Sequence, residues 1–131
     1  MTSATGLFDI ECQGDTVIVT PSTDLGEFGY EQLVAESQKA MDLLDQTEGT
    51  RNAVINLQKT DYFGSTALGV FVKLWKRVRK RDGHMAFCGM SEHEREIIAV
   101  TKLDQLWSIC DSQEAALKEV EAGGIGDRTS D

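Results

Sequence analysis

The order of apolar and polar residues predicts strands first and a helix after them. Two short runs rich in β-forming residues, 7–13 and 16–21, are separated by Gly14-Asp15, a dipeptide typical of tight turns. Together they predict a hairpin. Beyond it, apolar residues recur at mostly helical spacing over residues 22–46, which predicts a helix of about four or five turns. The continuous apolar run 53–57 then predicts a central strand covered on at least one face.

The second half of the chain continues this alternation. An apolar stripe with offsets of three, four and seven predicts a long amphipathic helix that stops at Gly83. Ser91 followed by Glu94 has the spacing of a capping box and predicts the start of the next helix. The remaining pattern predicts strands at 84–90 and 106–110 and a last helix over 112–122. The residues of the long helix stripe are Leu68, Phe71, Leu74, Trp75 and Val78.

The predicted order is therefore β-β-α-β-α-β-α-β-α. Strands that alternate with helices imply an α/β fold with a mixed sheet, in which an N-terminal hairpin joins parallel strands and about four α-helices cover them. The length of 131 residues fits a single domain, which we place at 1–122. Residues 123–131 have almost no apolar content to bury and are expected to form a flexible C-terminal tail.

Composition narrows the class of protein. The chain is 40% hydrophobic and 27% charged, and no apolar run approaches the roughly 20 residues that a membrane helix needs. The N-terminus has neither a basic leader nor an apolar signal core, so we expect a cytoplasmic protein with no membrane association. Cys12, Cys88 and Cys110 are widely spaced within apolar runs, which favours buried reduced thiols over disulfides or metal ligands.

The charge of the chain points to a protein partner. A formal net charge of -9 argues against direct binding of nucleic acid, which normally needs a basic surface. Residues 73–81 are a local exception, because six of these nine residues are lysine or arginine. Cations at the end of a helix complement its dipole, so we interpret this cluster as a solvated face rather than a binding patch.

Enzyme chemistry has little support in the sequence. The run Gly64-Ser65-Thr66-Ala67 breaks the Gly-x-Ser-x-Gly spacing of a hydrolase nucleophile. His84 and His93 are the only histidines, and both are expected at the surface. The chain has no phosphate-binding glycine loop, and its cysteines, histidines and carboxylates do not cluster, so we expect no cofactor and no metal.

Ser65 lies where the predicted strand and loop give way to the long helix. On spacing alone its hydroxyl is expected to cap the free backbone N–H groups of the helix. The same N–H groups and the positive end of the helix dipole would also accommodate a phosphate on Ser65 or Thr66. Local spacing leaves both interpretations open.

The run from Arg51 to Cys110 resembles the second half of a STAS domain of bacterial anti-sigma-factor antagonists. A strand similar to "VINLQ" leads there to a hydrophobic pair and an Asp-Ser-(Ser/Thr)-Gly-Leu-Gly motif that opens a helix. The strand "HMAFCGM", a helix of the type "SEHEREIIAVTKL" and a Leu-Asp-x-Leu-(Phe/Trp) element follow. Gly64 stands here in place of the aspartate and Ala67 in place of a glycine.

The resemblance implies a function and a site. Such antagonists bind an anti-sigma factor that is also a serine kinase, are released when that kinase phosphorylates the motif serine, and are restored by a metal-dependent serine/threonine phosphatase. The serine aligns with Ser65, Thr66 is the second choice, and Asp24 matches an acidic residue beside the site. The expected partner-binding residues are Asp24, Tyr62, Phe63, Gly64, Ser65, Thr66 and Leu68, although Tyr62 and Phe63 equally fit the core. The alternative is a STAS interaction module of a stress-signalling or lipid-transport complex without a phosphorylation switch.

Overall fold

A six-stranded mixed sheet forms the centre of the computed structural model, which describes residues 2–123. The strands lie side by side in the order of the sequence. They are β1 (Thr2–Thr5), β2 (Phe8–Gln13), β3 (Thr16–Pro21), β4 (Asn52–Asn56), β5 (Met85–Cys88) and β6 (Ser108–Cys110). The helices are α1 (Tyr30–Gln46), α2 (Gly64–Lys80), α3 (Glu92–Val100) and α4 (Gln113–Glu121).

The direction of each strand follows from its connection. β2 and β3 are antiparallel and pair from Phe8 with Pro21 to Gln13 with Thr16, across a turn in which Gly14 has a φ of 63°. The predicted hairpin is confirmed. A helix connects each later pair of neighbours, and β3, β4, β5 and β6 run parallel. The α/β fold class, with its hairpin and parallel strands, is therefore confirmed.

The two faces of the sheet carry different helices because side chains alternate along each strand. Val17, Ala53 and Ile55 belong to the larger apolar core, which also contains buried residues of α1 and α2. Ile18 and Val54 instead face α4 and form a smaller cluster with it. This two-sided burial explains the unbroken apolar run of β4.

Some boundaries differ from the predicted ones. β1 was not predicted because residues 2–5 have no strand-like apolar pattern, and the strand is defined by its pairing with β2. α2 ends at Lys80, and the left-handed residue beyond it is Asp82, with a φ of 56°, rather than Gly83. Gly83 is required for another reason, since a Cβ there would lie 1.7 Å from the carbonyl oxygen of Arg51.

Two other expectations concern the thiols and the chain end. All three cysteines are free, but only Cys88 is fully buried, and burial raises its pKa to about 11. Cys12 and Cys110 are half-buried.

The predicted tail at 123–131 lies, apart from its first residue, outside the described residues, and the domain limits stay a prediction. No helix within residues 2–123 has the length and apolarity to cross a membrane.

Candidate functional site

The loop between β4 and α2 lies at the carboxyl end of a parallel strand, an edge where α/β proteins commonly place their binding sites. Its first turn is closed locally, because the backbone N–H of Thr60 donates to the carbonyl of Leu57 at 2.9 Å. From there the chain runs through Asp61 and Tyr62 into the helix. Two neighbouring segments fix this loop from opposite sides.

Asp24 holds the loop from the side of the β3–α1 connection. Its Oδ1 accepts hydrogen bonds from the backbone N–H groups of Asp61, at 2.8 Å, and of Tyr62, at 3.3 Å. The backbone N–H of Leu25 donates in turn to the carbonyl of Tyr62 at 3.3 Å. Asp24 is exposed, so its carboxylate both shapes the loop and adds negative charge to the surface beside it. The predicted neighbourhood of Asp24 and the α2 start is therefore present in the fold.

The first turn of α3 holds the loop from the other side. Ser91 Oγ donates to the carbonyl of Asp61 at 2.8 Å and accepts from the backbone N–H of Glu94 at 3.1 Å. The Glu94 carboxylate accepts from the Ser91 N–H at 2.9 Å, which completes the predicted capping box, and from the hydroxyl of Thr60. Sequence analysis identified the capping box, but the spacing of Ser91 and Glu94 contains no signal for the contact with Thr60.

The Glu94 carboxyl is fully buried in this junction. Burial raises its pKa above the ordinary value of 4.5, and the negative charge of Asp24 adds to the rise. The hydrogen bonds from Thr60 and Ser91 act in the opposite direction but do not cancel the effect of burial. The group is therefore easier to protonate in the folded chain than in the unfolded one.

The start of α2 has no side-chain cap. Its N-cap residue is Phe63, and Gly64 enters the helix with a φ of 78°, a left-handed conformation that glycine adopts without strain. Ser65 is thus the second helical residue, and the expectation that its hydroxyl caps the helix is wrong. The Ser65 side chain is exposed, and no described residue is hydrogen-bonded to its hydroxyl.

Tyr62 and Phe63, which fitted core and surface equally well in the sequence, separate in the structure. Tyr62 is 43% exposed, and its ring centroid lies 5.4 Å from that of His93. Its ring also covers Gly26, where a Cβ would lie 2.5 Å from the Tyr62 Cε2 atom. Phe63 is fully buried and packs edge-on against Phe71.

The expected contact residues differ in burial. Phe63 and Gly64 are buried, so they support the site from inside the fold. Thr66 and Leu68 are half-buried and Ser65 is exposed, so all three remain accessible along the first turns of α2. Sequence analysis missed His93 as the support of Tyr62, because nothing in the local pattern relates residues 31 positions apart.

Comparison with known proteins identifies the family to which this fold belongs. The family model of the STAS domain matches residues 8–116. The anti-sigma factor antagonist BtrV of Bordetella bronchiseptica is 30% identical over 86 residues, which cover 66% of this chain and 70% of BtrV. The anti-sigma-B factor antagonist of Staphylococcus aureus is 30% identical over 67 residues, which cover 51% of this chain and only 62% of that protein.

Solved structures agree on the fold. An anti-sigma factor antagonist structure from Thermotoga maritima superposes with a TM-score of 0.76 at 22% identity, covering 88% of this chain and 96% of the other. The antagonist SpoIIAA in its unphosphorylated form gives a TM-score of 0.65 at 17% identity, over 88% and 98% of the two chains. SpoIIAA, described as a Bacillus cell fate determinant, is also known in a phosphorylated form, with a TM-score of 0.63. On the match to the family model and the similarity to BtrV, the chain belongs to the STAS domain family, among the anti-sigma-factor antagonists.

Proposed function

We propose that this chain binds an anti-sigma factor that is also a serine kinase, and that phosphorylation of Ser65 ends the complex. A metal-dependent serine/threonine phosphatase then restores the binding form. In this scheme the chain is a cytoplasmic regulator of transcription without catalytic activity of its own. The relatives in the comparison are named as antagonists of anti-sigma factors, which supports the anti-sigma factor as the partner.

The observation that supports the proposal most directly is the exposure of Ser65. Its side chain is exposed in the first turn of α2 and no described residue is bonded to its hydroxyl. A kinase can therefore reach this hydroxyl without unfolding the helix. Thr66, the second choice, is half-buried and less accessible.

The proposed contact surface consists of Tyr62, Ser65, Thr66 and Leu68, with Asp24 at its edge. Tyr62 offers an exposed aromatic ring of the type that often anchors protein interfaces. Asp24 fixes the backbone of the loop that presents this ring. Phe63 and Gly64 support the surface from inside and are not proposed as direct contacts.

A phosphate on Ser65 would be tolerated by the fold but not by the interface. It adds about -1.5 to -2 charges at the N-terminus of α2, where the helix dipole favours anions. In a complex the same charge must be desolvated next to the exposed carboxylates of Asp24 and Asp61. Removing these neighbouring negative charges from water in a complex strengthens their repulsion and costs several kcal/mol, enough to lower affinity by orders of magnitude.

Gly64 affects phosphorylation by the kinase more than it affects binding to the anti-sigma factor. It occupies the place of the motif aspartate, so the chain lacks a carboxylate directly before the serine. The exposure of Ser65 does not depend on that carboxylate. SpoIIAA, a structural neighbour, exists in both unphosphorylated and phosphorylated forms, which supports a phosphorylation switch on this fold.

The test compares Ser65→Ala, Ser65→Asp and Ser112→Asp in binding to the anti-sigma factor kinase isolated from the same cells. Ser65→Asp should lower affinity about a hundredfold or more, and Ser65→Ala should change it less than about threefold. Ser112→Asp is the matched control, because it adds the same charge at the N-cap of α4, where aspartate keeps the cap. If the partner binds all three variants equally, Ser65 is no switch, and the interaction module without phosphorylation becomes the better description.

A further inference from the structure

The exposed face of α2 continues well beyond Ser65 and changes character along its length. A helix turns 100° per residue, so Ser65, Gly69, Lys76 and Lys80 fall within about 60° of one another. All four are exposed in the structure. Lys76 lies about 16 Å and Lys80 about 22 Å along the axis from Ser65. One exposed surface of α2 therefore runs from Ser65, the proposed phosphorylation site, to Lys76 and Lys80.

We call Lys73, Lys76, Arg79 and Lys80 the basic strip of α2. The strip contrasts with a chain whose formal net charge is -9. Among residues 2–123, no carboxylate forms an ion pair with any of its four members. The neighbouring Arg77 and Arg81 are in use, because Arg77 pairs with Asp45 and Arg81 donates to the carbonyls of Thr47 and Thr50.

The helix dipole does not account for the whole strip. Stabilisation by cations is confined to the last turn of a helix. Arg77, Arg79 and Lys80 lie in that turn of α2, but Lys73 and Lys76 lie before it. Two lysines without a carboxylate partner among the described residues and without a dipole role thus extend the strip toward Ser65. The dipole part of the sequence interpretation therefore fits only the end of the cluster.

We propose that the basic strip docks an acidic segment of the protein partner that contacts Ser65. The inference rests on the proposed function and deepens it by assigning a second contact and its charge. The positive charge of the strip indicates an acidic occupant. Because the strip is continuous with the surface around Ser65, this acidic segment is expected to belong to the partner that binds there. An interface of ordinary size, with about 800 Å² on each side, easily spans the 22 Å involved. Nucleic acid is disfavoured because the rest of the chain is strongly acidic.

The first experiment needs no natural partner. The ¹⁵N-labelled chain is titrated at low salt with a helical peptide that carries glutamates along one face, and with a lysine peptide of the same pattern. We expect saturable shifts of the Lys73–Lys80 amides with the glutamate peptide only. Lys76→Glu should weaken this binding about tenfold, and Lys118→Glu should not change it. Lys118 is a matched control because it is an exposed lysine on α4, which packs on the opposite face of the sheet.

The second experiment uses the anti-sigma factor. Lys76→Glu should slow association about tenfold at low salt, with the difference fading near 0.5 M salt, where charges are screened over a few Å. Lys118→Glu should leave association unchanged. Circular dichroism confirms that each variant is folded.

The two experiments test the basic strip separately from the proposed switch at Ser65. If Ser65→Asp leaves partner binding intact, the proposed switch fails, and the peptide titration still decides the strip. The strip proposal is overturned if the glutamate peptide produces no localised shifts, if Lys76→Glu binds it as well as the wild type, or if duplex DNA or phosphatidylserine vesicles bind the strip and the peptide does not. It is also overturned if Lys76→Glu associates with the anti-sigma factor as fast as Lys118→Glu.

Discussion

Three helices of this fold carry a serine in or beside their first turn, and the serines of α2 and α3 do opposite things. Ser91 is the N-cap of α3, where it caps Glu94 and donates to the carbonyl of Asp61. Ser65 is the second residue of α2, exposed and without a hydrogen-bond partner among the described residues. The position relative to the N-cap thus decides whether a helix-start serine serves the fold or stays available for a partner.

The largest effect on stability should come from Glu94, the buried member of the α3 capping box. Glu94→Ala leaves the Ser91 N–H without its acceptor and removes the bond from the Thr60 hydroxyl, which keeps only the Leu57 carbonyl at 3.1 Å, so we expect a loss of about 2–3 kcal/mol in the free energy of unfolding. Glu92→Ala is the control, because Glu92 is exposed in the same turn and should cost less than about 0.5 kcal/mol. Urea denaturation measures both, and equal losses would show that the Glu94 network does not stabilise the junction.

The uncapped start of α2 should be sensitive at its glycine. Gly64→Asp places a side chain at a φ of 78° with its Cβ about 3.3 Å from the Gly26 Cα, so we expect a loss of about 1–2 kcal/mol. Gly69→Ala is the counterpart, because Gly69 lies inside the same helix with only an ordinary 3.7 Å contact to Tyr30. Gly69→Ala should raise the free energy of unfolding by about 0.5–1 kcal/mol. A neutral or stabilising Gly64→Asp would mean that the left-handed entry does not constrain this position.

Replacing each of the two serines by alanine should change the free energy of unfolding by a smaller amount. Ser91→Ala removes a cap and the bond to Asp61 and should cost about 1 kcal/mol. Ser65→Ala removes no bond within the described chain and should stay within about 0.5 kcal/mol of the wild type. Thermal unfolding of the two variants side by side makes the measurement. A loss at Ser65 as large as that at Ser91 would contradict the assignment of Ser65 as free.

The smallest effect should be the pH dependence that Glu94 contributes. Its folded pKa is raised, so its stabilising contribution is complete below the ordinary value of 4.5 and is lost as pH rises through the folded pKa. The stability of the wild type relative to Glu94→Gln should therefore fall as pH rises from 4.5 through the raised pKa. Urea titrations of both proteins over about pH 4–8 test this sign. A relative stability that rises with pH would contradict it.

The contrast between the two serines also marks what the sequence could predict. The α3 capping box is local, because its two side chains lie three residues apart, and it was predicted from spacing alone. The cap state of α2 depends on the left-handed φ of Gly64 and on the burial of Phe63, and neither leaves a local signal. The sequence therefore located Ser65 correctly at the start of α2, but the cap expected from its hydroxyl is absent.

Long-range contacts set the same limit elsewhere. The family resemblance placed Asp24 beside the site, but its bonds to the backbone of Asp61 and Tyr62 join residues 37 and 38 positions apart. The resemblance also identified the STAS fold, which the alternation of strands and helices supports independently. β1 has no apolar pattern and is defined only by its partner strand.

The most direct test of the account is a site-resolved mass map of the chain isolated from its own cells. We expect a phosphorylated fraction with the phosphate on Ser65, and none on Ser91, whose hydroxyl is bonded to the backbone of Asp61 and Glu94. A chain that stays unmodified while its sigma factor is held inactive, or one modified at Thr66 and never at Ser65, would contradict the proposed switch.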